Sequence, residues 1–206
     1  MALKTFVKLN SISNLTDARY GAGMYVNLLG FDLNRGSENF ISPETFKEIT
    51  GWVSGVDLVG QFTYKSEPDI LQVLREYPGI TWVEFDRIDG LKVLAGSGYN
   101  LIYKIPLLEI RHIELEVADG MANAEIILHV TSDQQPLSLE DLETLAILSK
   151  NCKVILGSGI TKDNILDLIE NTGIYGISLS GGEETKPGLK DLNELADILE
   201  KLEIEE

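Results

Sequence analysis

Short apolar segments recur at a regular spacing along the chain, and this repeat limits the folds that the chain can adopt. The segments begin about every 24 residues, which is the length of one strand followed by one helix. Most are nearly continuous apolar runs, as expected for parallel strands that are buried on both faces. The predicted strands are Phe6–Leu9, Tyr25–Gly30, Val56–Gln61, Thr81–Phe85, Leu101–Ile105, Glu125–His129, Lys153–Leu156 and Tyr175–Leu179.

The segments between these strands have the features of helices. Ser42-Pro43-Glu44 combines an N-cap residue, a proline in the first turn and an acid beside it. Ser138 and Asp141 have the spacing of a capping box. Two helices are less well defined: the fourth is expected within Gly90–Gly98, and the fifth around Ile113–Ala124.

This alternation predicts an α/β protein, specifically a single (β/α)8 TIM barrel with eight parallel strands that spans residues 1–206. With 206 residues the chain is shorter than the ~250 residues typical of such barrels, and it contains no linker-like stretch. An open doubly wound sheet is the alternative fold. That fold requires a ligand-binding loop at a switch point of the strand order, and no such loop is evident.

Charge and cysteine content exclude several classes of function. The 33 acidic and 17 basic residues give a net charge of −16, which disfavours binding to nucleic acid or to anionic membrane surfaces. The single cysteine, Cys152, excludes an internal disulfide and a multi-cysteine zinc site. No signal peptide or membrane-spanning run is evident, so we expect a cytoplasmic protein.

Two glycine-containing segments follow the last two predicted strands. Gly157-Ser158-Gly159 follows strand seven, and Ser180-Gly181-Gly182 follows strand eight. Glycine at a strand end often marks only a turn, but in (β/α)8 barrels these two loops commonly bind phosphate. The backbone N–H groups of such loops can approach an anion closely. The sequence therefore predicts one phosphate site formed by both loops.

Several motifs resemble those of the phosphoribosylanthranilate isomerase family, and together they cover nearly the whole chain. The segment from Val7 to Ala18 is similar to the family's V-K-I-C-G-I-T-N-x-x-D-A, and Phe40-Ile41-Ser42-Pro43-Glu44 to its Y-I-S-P-E. The most specific match is Ser178-Leu179-Ser180-Gly181-Gly182-Glu183 followed by Lys186-Pro187-Gly188-Leu189-Lys190-Asp191, which resembles V-S-S-G-V-E-x-x-P-G-x-K-D. The resemblance implies a tryptophan-biosynthesis enzyme that catalyses an Amadori rearrangement of a phosphorylated aminoaldose.

The two catalytic positions implied by this resemblance have different residues here. The family's cysteine at the end of strand one corresponds to Asn10, whose amide does not take up a proton at neutral pH. Its aspartate at the end of strand six corresponds to His129, and the glycine-rich loop that follows that aspartate is missing. His129 is either a replacement acid–base group, since imidazole transfers protons near neutral pH, or a polar residue that closes the barrel mouth.

Substrate-binding positions also differ from the family pattern. Asn39 replaces a basic residue, which leaves nearby Arg35 as a candidate partner for a substrate carboxylate. The strand-four ending contains Glu84 and Asp86 where the family has Q-L-H-G, and added acids would repel such a carboxylate. Lys8, within strand one, is a further candidate for substrate binding or for an electrostatic role.

The candidate catalytic residues are therefore His129, Asn10, Asp32 and Asp86. Asp32 and Asp86, predicted at strand ends, are either acid–base partners of His129 or solvated loop carboxylates. No spacing indicates a metal site, and no cofactor is expected.

Three functions are compatible with this pattern. The favoured one is a diverged barrel that keeps the phosphate site and binds a phosphorylated small molecule without Amadori chemistry. The alternatives are an active isomerase that uses His129 with Asp32 or Asp86, and a barrel that acts only through a protein contact. We expect a monomer or a homodimer. Because barrels of this type support many chemistries, the fold does not distinguish among these functions.

Overall fold

The computed structural model is a closed barrel of eight parallel strands in sequence order, and it confirms the predicted (β/α)8 fold. It describes residues 2–64, 69–132, 136–181, 184–186 and 189–204. The barrel strands are β1 (Phe6–Asn10), β2 (Leu28–Asp32), β3 (Asp57–Gln61), β4 (Ile80–Phe85), β5 (Asn100–Pro106), β6 (Ile127–Thr131), β7 (Val154–Leu156) and β8 (Gly176–Ser180). Pairing of β1 with β8 closes the barrel, so an open sheet is excluded.

Helices follow the strands in the order that the sequence predicts. They are α1 (Leu15–Gly23), α2 (Pro43–Thr50), α3 (Ile70–Leu74), α4 (Ile88–Leu94), α5 (Leu115–Asn123), α6 (Leu139–Leu148), α7 (Ile165–Thr172) and α8 (Asn193–Leu202). Both predicted N-caps are confirmed: the side chains of Ser42 and Ser138 accept hydrogen bonds from the first turns of α2 and α6. No helix among the described residues is long and apolar enough to cross a membrane.

Two small elements lie outside the predicted pattern. A 3-10 helix, Leu107–His112, follows β5 and contains His112. Beyond β8 the antiparallel strands β9 (Glu184–Lys186) and β10 (Leu189–Lys190) form a two-stranded sheet apart from the barrel. Sequence periodicity did not predict either element, because each is too short to show a repeat.

Strands β2 and β6 begin later than predicted. Tyr25 and Glu125, the predicted first residues, have φ angles of 57° and 56° and belong to the turns after α1 and α5. A left-handed residue cannot continue a strand, so each strand begins beyond it. Each strand also ends two residues later than predicted, at Asp32 and at Thr131.

The fourth helix also differs from its prediction, because α4 begins before Gly90 and contains it. A β-carbon at Gly90 would lie 2.5 Å from the ring of Phe85, the last residue of β4. Gly90 is therefore required for helix α4 to pack over the strand end and does not mark a helix boundary.

The barrel interior has an apolar lower layer. Alternate residues of barrel strands point inward and stack in layers. The lower layer is a separate buried cluster made of Leu28, Val59, Ile102, Ile127 and Ile155, with Phe6 and Trp82 packed against it. This layer separates the residues above it from the N-terminal end of the barrel.

We predict opposite effects of alanine at two glycines that both have open space around them. Gly173 ends α7 with a φ angle of +64°, whereas Gly120 lies within α5 without a positive φ angle. Gly173→Ala should destabilise the protein by about 1–2 kcal/mol, because alanine is strained in the left-handed region. Gly120→Ala should stabilise it by about 0.5–1 kcal/mol through helix propensity.

Urea unfolding followed by circular dichroism measures both effects. If Gly173→Ala were as stable as the original protein, the assigned end of α7 would be wrong.

Candidate functional site

A buried carboxylate, Glu84, lies above the apolar layer inside the barrel. Its Oε2 is 2.9 Å from the Nζ of Lys8 and 2.8 Å from the Nδ1 of His129. Its Oε1 accepts a hydrogen bond of 2.8 Å from the side-chain amide of Gln61. Lys8, Glu84 and His129 are at most 1% exposed, so each depends on these partners rather than on water.

Ser178 and Asn10 complete a closed ring of hydrogen bonds with these residues. The Nε2 of His129 is 2.6 Å from the Oγ of Ser178, which also accepts a 2.9 Å hydrogen bond from the Nδ2 of Asn10. The Oδ1 of Asn10 in turn accepts a hydrogen bond from the Nζ of Lys8. We call Lys8, Glu84, His129, Ser178 and Asn10 the polar ring.

Charge and burial fix the protonation states in the polar ring. Burial alone would raise the pKa of Glu84, but the Lys8 ammonium and the hydrogen bond from His129 hold it well below its ordinary value. Burial lowers the pKa of His129, and Glu84 opposes this effect only in part. Burial likewise lowers the pKa of Lys8 against the opposing charge of Glu84. At neutral pH Glu84 is therefore ionised beside Lys8, and the His129 imidazole is neutral.

A cavity of about 280 Å³ adjoins the polar ring at the ends of β7 and β8. Ser178 lies in its wall and so belongs to both features. The other lining residues are Gly157, Ser158, Ile160, Leu179, Ser180, Gly181, Glu194, Leu195 and Ile198. We call it the β7–β8 cavity. The two glycine loops thus converge on one space.

The β7–β8 cavity contains a polar group that lacks a partner. The Oγ of Ser158 is buried and has no hydrogen-bond partner among the described residues. A buried hydroxyl without a partner is costly, so a ligand that bonds to it would be favoured. Glu194, in the first turn of α8, adds a negative charge to the same wall.

The structure brings together Asn10 and His129, the two positions that the sequence resemblance matches to the family's catalytic residues. Asn10 and His129 lie on β1 and β6, and both bond to the hydroxyl of Ser178. Of the predicted phosphate residues, Gly157, Ser158, Ser180 and Gly181 line the β7–β8 cavity, and Gly182 lies outside the described residues.

Gly159 is not among the residues that line the β7–β8 cavity. Its φ angle is +68°, and a β-carbon there would lie 2.7 Å from Leu137. Gly159 therefore serves the turn after β7 and its packing.

The two candidate aspartates hold loops in place. Both oxygens of Asp32 accept hydrogen bonds from the following loop, from Asn34 and Ser37. Asp86 accepts a 2.7 Å bond from the backbone N–H of Tyr64. The carboxylate that contacts His129 is Glu84. The predicted pairing of His129 with Asp32 or Asp86 is therefore wrong, because Asp32 bonds to its own loop and Asp86 bonds to the loop after β3.

Neither candidate substrate-binding cation, Lys8 or Arg35, lines the β7–β8 cavity. Lys8 is completely buried and bonded within the polar ring. The Arg35 side chain is 77% exposed and lies 3.8 Å from Glu76, on the outer side of its loop. Glu84 faces Lys8 inside the barrel, so the expected repulsion of a ligand carboxylate by Glu84 is offset by the Lys8 charge.

Sequence reasoning did not assign Gln61 or Ser178 to the site, and it considered Glu84 only as an acid that would repel a substrate carboxylate. Each lies within or at the end of an apolar strand segment, and Lys8 and His129 have the same setting. The sequence signal for these site residues was a single polar residue at an inward-facing position of an otherwise apolar barrel strand. Such positions can be recognised because the side chains of a strand alternate between its two faces.

Comparisons with known proteins agree with this architecture. The model of the N-(5'-phosphoribosyl)anthranilate (PRA) isomerase family matches residues 138–201. The PRA isomerase of Synechococcus sp. is 28% identical over 211 residues, which cover 97% of this chain and 92% of that protein. The chain is thus similar to PRA isomerases over nearly its whole length. The matched region includes β7, β8 and the β7–β8 cavity.

Solved PRA isomerase structures share the fold. The enzyme from Thermus thermophilus is 24% identical with a TM-score of 0.77, and the alignment covers 96% of this chain and 98% of that one. A PRA isomerase in complex with reduced 1-(o-carboxyphenylamino)-1-deoxyribulose 5-phosphate is 19% identical with a TM-score of 0.74, at the same coverage.

We predict that Lys8→Met strongly destabilises the protein. Methionine fills a similar volume but leaves the Glu84 carboxylate buried without its counter-ion, and breaking a buried pair in this way costs about 3–5 kcal/mol. The double variant Lys8→Met/Glu84→Gln should recover most of this loss, because a neutral amide no longer needs a cation. Urea unfolding measures both variants. A single variant as stable as the original protein would contradict the ion pair.

Proposed function

We propose that the protein binds a phosphorylated small molecule in the β7–β8 cavity and does not catalyse the Amadori rearrangement of phosphoribosylanthranilate. The observation that supports binding most directly is the Oγ of Ser158, which has no partner within the described part of the chain and lies in a cavity with glycines at both strand ends. Its hydroxyl can donate to a phosphate oxygen, and the glycines allow the backbone to approach that anion.

Charge near the β7–β8 cavity supports a small anion rather than a highly charged one. Lys104 is half-buried on β5 and pairs in register with His129, so it adds positive charge near the polar ring. Glu194 in the cavity wall and the net charge of −16 oppose polyanions. The related complex with a deoxyribulose 5-phosphate derivative supports a ligand that carries a single phosphate group.

The polar ring is unsuited to the Amadori rearrangement, which needs a general acid and a general base at the sugar. Asn10 cannot exchange a proton and is bonded to Lys8 and Ser178. His129 is neutral, but Glu84 and Ser178 occupy both of its nitrogens. Proton removal from a sugar carbon would require His129 to give up one of these partners.

We expect D-ribose 5-phosphate, but not D-ribose, to bind to the purified protein in calorimetric titration. Ser158→Ala should weaken this binding by roughly tenfold or more, because a hydrogen bond to a charged group contributes about 1.5–3 kcal/mol. Ser149→Ala is the matched control, since the Ser149 hydroxyl also lacks a partner but lies outside the β7–β8 cavity. Equal binding of ribose and its phosphate would contradict the proposed site.

We also expect no measurable conversion of phosphoribosylanthranilate. A missing acid and a missing base each cost ~10²–10⁴-fold, and such pairs usually fail together. Direct assay of the purified protein and growth of an isomerase-deficient tryptophan auxotroph measure this. Rescue by the original protein would contradict the proposal, whereas rescue only by Asn10→Cys/His129→Asp would show that the scaffold still accepts the substrate.

A further inference from the structure

We propose that Ser178 is a nucleophile activated by His129 and Glu84, and that it hydrolyses a small carboxylic ester or lactone. The part of this inference that concerns the substrate's phosphate group rests on the proposed function, because that group would occupy the β7–β8 cavity. The geometry that supports the inference is a continuous hydroxyl–imidazole–carboxylate relay from Ser178 through His129 to Glu84.

The ion pair determines the direction of each hydrogen bond in the relay. Glu84 is ionised beside Lys8, so its oxygen must accept the 2.8 Å bond from the Nδ1–H of His129. The neutral imidazole then has a lone pair on Nε2, which accepts the proton of the Ser178 hydroxyl across 2.6 Å. This is the arrangement in which histidine acts as the general base for a serine nucleophile.

Asn10 is placed to stabilise the charge that develops when Ser178 attacks a carbonyl. Its Nδ2 lies 2.9 Å from the Oγ of Ser178, and Lys8 bonds to its Oδ1 and so fixes the orientation of the amide. One hydrogen of Nδ2 is donated to the Ser178 hydroxyl, and its second hydrogen would donate to the oxyanion of the tetrahedral intermediate. Relative to the family's cysteine, Asn10 thus removes a proton-transfer group and supplies a hydrogen-bond donor.

Ser178 belongs both to the polar ring and to the wall of the β7–β8 cavity. It lines this cavity, and Gly157 lies next to the bond between its hydroxyl and His129. A β-carbon at Gly157 would be 2.6 Å from the Oγ of Ser178 and 3.0 Å from the Nε2 of His129. The absence of a side chain at Gly157 therefore keeps this bond intact and leaves space beside it.

The proposed reaction has two balanced halves. The Oγ of Ser178 forms a bond to the carbonyl carbon while its proton passes to the Nε2 of His129. The ester C–O bond then breaks, and His129 returns the proton to the leaving alcohol. Water next attacks the acyl-serine with His129 as base, which releases the carboxylic acid and restores Ser178.

Diisopropyl fluorophosphate tests the nucleophile without knowledge of the substrate. The Oγ of Ser178 would form a bond to phosphorus, fluoride would leave, and His129 would take the proton. Intact mass and peptide mapping should find one label on Ser178 of the full chain and none in Ser178→Ala. His129→Gln should slow labelling by ~10²-fold or more. Ser149→Ala should label like the original protein.

Inorganic phosphate distinguishes failure of the relay from failure of the cavity as a phosphate site. Phosphate should bind to the β7–β8 cavity in calorimetry and should slow the labelling of Ser178, which lines the cavity.

The other outcomes separate the two proposals. If phosphate binds but Ser178 is not labelled, the nucleophile is wrong and the proposed function stands. If Ser178 is labelled and phosphate neither binds nor protects, the nucleophile stands and the phosphate-bearing substrate is wrong. Labelling unaffected by His129→Gln in correctly folded protein would overturn the relay.

Discussion

The carboxylate of Glu84, buried inside the barrel, determines the arrangement of the groups around it. An ionised carboxylate away from water is unstable unless it is paired and hydrogen-bonded, and Lys8, His129 and Gln61 supply these contacts. Because Glu84 stays ionised, the proton of the His129 imidazole is on the nitrogen that faces it. The other nitrogen, Nε2, is then unprotonated and accepts the hydrogen bond of the Ser178 hydroxyl. The apolar layer beneath the ring supports this order, since it places no competing polar group against these side chains.

Two halves of the site meet at Ser178, whose hydroxyl belongs to the polar ring and which also lines the β7–β8 cavity. The fold explains why they adjoin, since in a (β/α)8 barrel the strand ends all face the same space. In the proposed function the cavity holds the phosphate group of a ligand, while the polar ring no longer supports the family's rearrangement. In the proposed ester hydrolysis, Asn10 supplies a hydrogen-bond donor and His129 supplies a general base, in place of the family's two proton-transfer groups.

The fold was predictable because its signal repeats along the chain, whereas the contacts of the site depend on which strands become neighbours. The eight apolar segments and the two glycine loops were sufficient to predict the barrel and the convergence on one cavity. The partner of His129 was not predictable, since Asp32, Asp86 and Glu84 are all acids at strand ends. Glu84 differs in being buried one residue before its strand ends, while Asp32 bonds back to its own loop. Similarly, the path of its loop places Arg35 beside Glu76.

The protonation of His129 at neutral pH tests the central claim most directly. The chain has two histidines, so nitrogen-15 NMR of the imidazole rings resolves His129 against His112, which lies in the 3-10 helix. We predict a neutral ring with its proton on Nδ1 and an unprotonated Nε2 that accepts a hydrogen bond. Glu84→Gln should disturb this signal, because the ionised acceptor is lost. A doubly protonated ring, or a neutral ring with its proton on Nε2, would contradict the account of the polar ring.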